Sequence, residues 1–276
     1  MSAAATRLRP VVLGRDARRF WQLTLTLATT NFKLRFYGSV LGYAWTLVRP
    51  FAFFGVIWLV FAEIVHAGNG VKHYPAYILM SLVLFQFFLG TVTASLSCLV
   101  DRQNLLRKIR FPRLVIPLSV TLESLFDLAM TLLAVFVFLI ILGVYPTWRW
   151  LELIPMVAIL TIFATGLGLL LSVLFVRFRD MKPIWDVVGQ MLFYASPILY
   201  VATSVPERFQ RPYLANPIAC VLTQMRHAVV DPTARTVAES IGGGVRLLVP
   251  AAIVAFVAAL GSWAFSREAP RVAENL

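Results

Sequence analysis

Three charged residues lie about two turns or more inside long apolar segments and are the first candidates for chemistry: Arg49, just before Pro50, and Glu123 and Asp127. A charge inside hydrocarbon is costly, so such a residue is a functional candidate whose partner has to be named. Glu123 and Asp127 are one helical turn apart and share a face. Arg49 and Glu123 are expected at similar depth, and the sequence predicts that they approach each other. The alternative is that Arg49 snorkels to the interface on its long stem. A proton relay through Glu123 and Asp127 finds nothing downstream to extend it. Enzyme signatures are missing: there is no GxxxxGK[ST] phosphate loop, no HExxH helix and no GxSxG elbow. His66, His73 and His227 do not form a metal-ligand spacing. The expectation is a chain with no catalytic residue, no bound metal and no cofactor of its own.

The element that must position these residues is a membrane. The chain has 276 residues, 59% hydrophobic and only 14% charged, with a mean hydropathy of +0.80. Soluble domains are about 45–50% apolar and about 25% charged. A chain this size could not hide so much apolar surface in one core. The net charge of +12 would suit nucleic acid if it formed a patch. Here the cations sit between apolar segments and alternate in density, a membrane-orientation pattern that argues against a nucleic-acid partner. Cys98 and Cys220 are too few for a disulfide framework; they are expected at opposite membrane faces and unbonded. Met1–Arg19 has neither the apolar core nor the small-residue site of a cleavable signal peptide.

A crossing helix needs about 20 apolar residues, and six segments qualify: Gly42–Val65, Tyr77–Leu99, Ile116–Leu142, Leu151–Val176, Ile184–Val201 and Val245–Phe265. Their backbone must be satisfied internally, so they are helices. The cations orient them. Arg7, Arg9, Arg15, Arg18, Arg19, Lys33 and Arg35 precede span one; Arg102, Arg107, Lys108, Arg110 and Arg113 follow span two; Arg177, Arg179 and Lys182 follow span four. The connections after spans one and three hold only Lys72 and Arg149. The fold class expected is therefore an all-α membrane protein with six transmembrane helices and both termini cytoplasmic. It would carry an N-terminal interfacial amphipathic helix and short re-entrant helices between spans five and six. Residues 1–41 form the cytoplasmic N-terminus with that helix, 42–265 the six-span domain and 266–276 the cytoplasmic tail.

Within this frame, Phe20–Phe36 is apolar but broken by Gln22, Asn31, Lys33 and Arg35, which suits a helix lying in the inner interface. Trp21, Phe32 and Phe36 would then be buried in lipid; a plain tether is the alternative. Asp101–Pro117 pairs apolar Leu105, Leu106, Ile109 and Phe111 with Arg107, Lys108 and Arg110. It reads either as a knob for a groove on a soluble partner or as a basic loop that only sets topology. Phe51, Phe54, Trp58 and Phe61 form one aromatic stripe on span one; it could stack on sugar rings or pack against a neighbouring helix. Gly166, Gly168 and Gly242–Gly244 permit close helix approach or a hinge. Ala202–Gly244, with Pro206, Pro212, Pro217 and Pro232, cannot be one helix.

Four segments, taken in order, resemble one family. RFYGSVLGYAWTLVRP (Arg35–Pro50) is similar to its entry into span one, and NLLRKIRFPRLVIPL (Asn104–Leu118) to its cytoplasmic coupling segment. RFRDMKPIWDVVGQMLFYASPILY (Arg177–Tyr200) resembles its RD-to-SPI region, and NPIACVLTQMR (Asn216–Arg226) its NP-to-R segment. The family is the permease subunit of ABC exporters for O-antigen, capsule and teichoic acid polysaccharides, and the match runs along nearly the whole chain. Glu123 and Asp127 belong to none of its motifs.

The resemblance implies a homodimer that binds two copies of a separate ATP-binding cassette ATPase, which carries the ATP and Mg. It also implies a polyprenyl-diphosphate-linked polysaccharide as cargo and the bacterial cytoplasmic (inner) membrane as location. Asn104, Leu105, Leu106, Arg107, Lys108, Ile109, Arg110, Phe111 and Pro112 would be the coupling helix. Arg35, Arg49, Phe51, Phe54, Trp58 and Phe61 would line the substrate path, and Asn216, Pro217 and Arg226 the outer gate. Two rivals stand beside this reading: a permease for a small lipophilic drug or lipid, and an intramembrane transferase acting on polyprenyl phosphate.

Overall fold

The apolar segments fold as helices, since hydrocarbon offers the backbone no other partner. The structure is a computed structural model, and it describes residues 15–36, 42–66, 68, 70–103 and 112–275. The long helices are α1 (Arg15–Phe36), α2 (Gly42–Trp58), α3 (Tyr74–Asp101), α4 (Val115–Ile141) and α5 (Leu153–Arg177). α2 continues as a π-helical turn over Leu59–Ile64. Next comes α6 (Met181–Tyr194), then the short helices α7 (Glu207–Tyr213), α8 (Pro217–Met225) and α9 (Val237–Ile241), and finally α10 (Leu248–Asn275). No strand occurs among the described residues.

Among the described residues, five stretches are long and apolar enough to cross a membrane: Ala44–Ile64, Tyr74–Asp101, Val115–Ile141, Trp148–Arg177 and Gly244–Glu268. They coincide with five of the six expected spans. The segment expected as span five, Ile184–Val201, instead gives the 14-residue α6, about 21 Å long and short of the roughly 30 Å of hydrocarbon. The reason is local: Pro197 bars Ser196 from helical geometry, so α6 stops at Tyr194 and the chain turns. α10 runs without a break to Asn275.

α3 is the axis of the bundle. Its side chains are buried on all sides, from Tyr77, Ile78 and Leu79 through Phe85 and Phe88 to Leu96 and Leu99. α2, α4, α5 and α6 pack around it, and α10 packs on α5. Phe88 stacks on Phe163 of α5 with ring centroids 5.2 Å apart. α4 closes with Gly143 at φ 80, the left-handed position that glycine occupies at low cost.

Glycines set the closest crossings. A Cβ at Gly166 would lie 2.6 Å from the Cα of Ala258, and one at Gly168 would lie 2.6 Å from the Cβ of Ser95. A Cβ at Gly261 would collide with the Gly166 carbonyl. Without a hydrophobic drive between helices in lipid, such contact supplies much of the association. Gly166→Ala or Gly261→Ala should therefore destabilise the bundle by about 1–3 kcal/mol, read as a lowered melting temperature in detergent. Gly55→Ala, with nothing within 4 Å of its Cβ, should leave the melting temperature level or higher.

Candidate functional site

Two polar clusters lie at opposite ends of α3. At its C-terminal end, α1 lays Thr24 and Ala28 against α4, and Phe32 sits edge-on to Phe126 at 5.9 Å. That seating brings Arg35 to both acids of α4. Its Nη1 donates to Asp127 Oδ2 at 2.5 Å, and its Nη2 donates to Glu123 Oε1. The Glu123 side chain is only 9% exposed, while Arg35 is 47% exposed. Beside them, Arg102 donates to Ser119 Oγ at 3.1 Å and Ser97 donates to Asp101 Oδ2 at 2.7 Å.

The partner predicted for Glu123 is thus corrected: Arg35 meets it, and Arg49 is exposed on α2. The two arginines stand on either side of the start of span one, Arg35 before it and Arg49 within it. What selects Arg35 is the packing of α1 along α4, which hydropathy does not encode. Phe32, expected to need lipid, finds Phe126. Trp21 is 61% exposed. Of the coupling segment, residues 104–111 lie outside the described residues; Pro112 is described and exposed, three residues before α4 begins.

The aromatic stripe of α2 turns inward. Phe51 and Phe54 both stand edge-on to Phe138 of α4, at 5.7 and 5.6 Å. Trp58 and Phe61 pack partly buried on the same core. The open face of α2 carries Trp45, Val48, Arg49, Phe53, Val56 and Leu59. α6 is open as well, since it buries only Trp185 and Gly189, with Trp185 Nε1 donating to Thr93 Oγ1 at 2.9 Å.

At the N-terminal end of α3, two proline motifs distant in sequence meet. Asn216 caps α8, its Oδ1 accepting from Ile218 N at 3.0 Å, with Pro217 in the first turn. Its Nδ2 donates to Ser196 Oγ at 3.3 Å. The loop after Ser196 is held from below by two buried tyrosines. Tyr74 donates to the Leu199 carbonyl at 2.6 Å, and the Tyr77 hydroxyl lies against the carbonyls of Pro197 and of Tyr200, the latter at 2.9 Å. Arg226 stands over the Tyr77 ring at 5.9 Å and lies 3.9 Å from Asp231. Gln224 links the short helices to the start of α5 by donating to Glu152 Oε2 at 2.8 Å.

The sequence places Tyr77 at the start of span two and Tyr74 just before it; their role as anchors is visible only in space. The shared pattern of a polar residue before Pro-Ile, at Ser196 and at Asn216, is the one signal that joins the two motifs.

A bundle of membrane-crossing helices with a capped cluster of short helices at one end defines a multi-pass membrane transport domain. Residues 22–230 match the ABC-2 type transporter family, and the chain belongs to that family. It is 30% identical over 215 residues to the O-antigen export system permease protein RfbA of Klebsiella pneumoniae, covering 77% of this chain and 82% of that protein. It is 28% identical to the RfbA of Myxococcus xanthus, covering 76% and 81% of the two chains. With the polysialic acid transport protein KpsM of Escherichia coli it shares 24% identity over 72% and 78%.

Asp231 provides a pH readout of the short-helix cluster. Burial pushes its carboxyl upward, but hydrogen bonds from the Thr233 hydroxyl and backbone N–H, at 2.6 and 3.0 Å, hold it below the ordinary range. A depressed acid contributes stability above its unfolded value, about 3.9, and loses it as pH falls through the folded value. Acidification through that window should lower the melting temperature of the wild type more than that of Asp231→Asn, with the two curves converging at the acid end.

Proposed function

We propose that this chain is the membrane permease subunit of an ATP-driven exporter that moves a polyprenyl-diphosphate-linked polysaccharide across the bacterial inner membrane. The observation that carries this is the identity of about 30% across four-fifths of two O-antigen export permeases. Membership of the ABC-2 family and the lack of a phosphate-binding loop of its own support a separate ATPase partner.

In this reading the chain works as a homodimer with two ATPase copies, which hold the ATP and Mg. Both termini are cytoplasmic, and α1 lies in the inner interface with Trp21, Leu23 and Leu25 toward lipid. α6 makes the fifth crossing together with the turn at Ser196, while α7, α8 and α9 dip into the outer leaflet. Asn216, Pro217 and Arg226 would then act as the outer gate, on the hinge that Ser196 and Asn216 share. Asn104–Pro112 receives the motion of the ATPase.

The polymer's path follows from which groups are free. Arg35 has two carboxylates, so of the two arginines expected on the path it is Arg49, on the open face of α2, that is left for the diphosphate. Sugars would stack on that face, at Trp45 and Phe53, with Trp58 and Phe61 at its edge. Phe51 and Phe54 shape the wall through Phe138. The transferase alternative needs Glu123, Asp127 and Arg49 to converge around a metal or phosphate, whereas Arg35 pairs with both acids and Arg49 is exposed on α2.

Purification in mild detergent followed by native mass should give two permease and two ATPase chains; a lone permease would count against the proposal. Phe111→Ala should leave assembly intact and lower ATP hydrolysis by about 2- to 30-fold, the range for mutations along a coupling route. Unchanged hydrolysis would remove the coupling role from residues 104–112.

A further inference from the structure

The contact between α1 and α4 has one charged cluster, built from residues 88 and 92 positions apart. Elsewhere on α1, Thr24 and Ala28 are buried, Phe32 meets Phe126 of α4, and the Asn31 amide is buried without charge. Opening the contact would strand two carboxylates one turn apart on a helix that is otherwise apolar. Glu123 is almost fully shielded from solvent, and the other cation acting on it is Arg102. Removing one partner from such a cluster costs far more than forming it gains, so separation of the helices is the expensive motion and joint movement the cheap one.

The position of the cluster in the chain gives this a consequence. α4 begins at Val115, three residues beyond Pro112, so any displacement of the segment before it enters α4 directly. α3, which ends at Asp101, is fixed to the same place by the Arg102–Ser119 hydrogen bond. α1 is the helix that presents Trp21, Leu23, Leu25 and Leu34 outward.

We infer that Arg35 is a positioning residue that, with Glu123 and Asp127, fastens α1 to α4 as one rigid unit throughout the transport cycle. A stroke received ahead of α4 is then delivered to α1 and, through the short connection after Phe36, to the start of α2. The inference rests on the permease reading and adds a function for the acid pair, which that reading leaves without one. Arg35 serves the exporter through α4 and not by touching cargo.

The test uses the reconstituted permease–ATPase complex and reads polymer moved per ATP hydrolysed. Arg35→Gln and the double variant Glu123→Gln with Asp127→Asn should still assemble and hydrolyse ATP, while transport per ATP falls by about 2- to 30-fold. The exchange Arg35→Glu with Glu123→Arg should recover part of that loss, because the new arginine also lies one turn from Asp127. A disulfide between Phe32→Cys and Phe126→Cys, with Cys98 and Cys220 replaced by serine, should leave transport running. Full transport per ATP in Arg35→Gln, failure of the exchange to recover anything, or arrest by the disulfide would each overturn the inference. A wild-type permease that binds no ATPase would overturn the permease reading itself, before any variant is compared.

Discussion

Hydrocarbon gives a polar group no solvent partner, so every such group that this chain carries into the bundle has to be met by another part of the protein. The consequences run through the whole structure. Thr91, Thr93, Thr161 and Thr165 return their hydroxyls to carbonyls one turn back. The Trp185 indole finds Thr93 and thereby seats α6 on α3. Tyr74 and Tyr77 find the carbonyls freed where α6 is broken by Pro197. The acids of α4 draw Arg35, and with it the whole of α1, onto the bundle. Each pairing turns a local cost into a fixed relation between two elements.

Much of the fold was legible because length and hydropathy act on single segments. The spans around Phe54, Phe85, Val135, Leu160 and Phe256 follow from apolar runs alone, and helix ends fell close to the residues where charge or glycine resumes. What was not legible depends on pairs. The break in the fifth segment was written in Pro197, but what holds the turn after it, Tyr74, Tyr77 and Asn216, comes from elsewhere in the chain. The partner of Glu123 required knowing which arginine α1 would carry to α4. The aromatic stripe of α2 had two readings, and Phe138, on another helix, decides which face of it is closed.

The two ends of the bundle divide the work of an exporter. One end joins α1 to α4 through charge; the other joins two proline motifs through Ser196 and Asn216 and rests the first of them on tyrosine hydroxyls. Between them stand the open faces of α2 and α6: the first is mostly apolar and aromatic with Arg49, the second carries Lys182 and Asp186 near its start.

The most direct test of this account is transport itself. The permease and its ATPase, co-purified and placed in sealed vesicles carrying polyprenyl-diphosphate-linked polysaccharide on one face, should move the sugar to the other face when ATP is supplied, where an added glycosidase can digest it. Digestion that requires ATP and both subunits is the predicted result. ATP hydrolysis driven by small lipophilic compounds, with the polymer remaining protected, would contradict it.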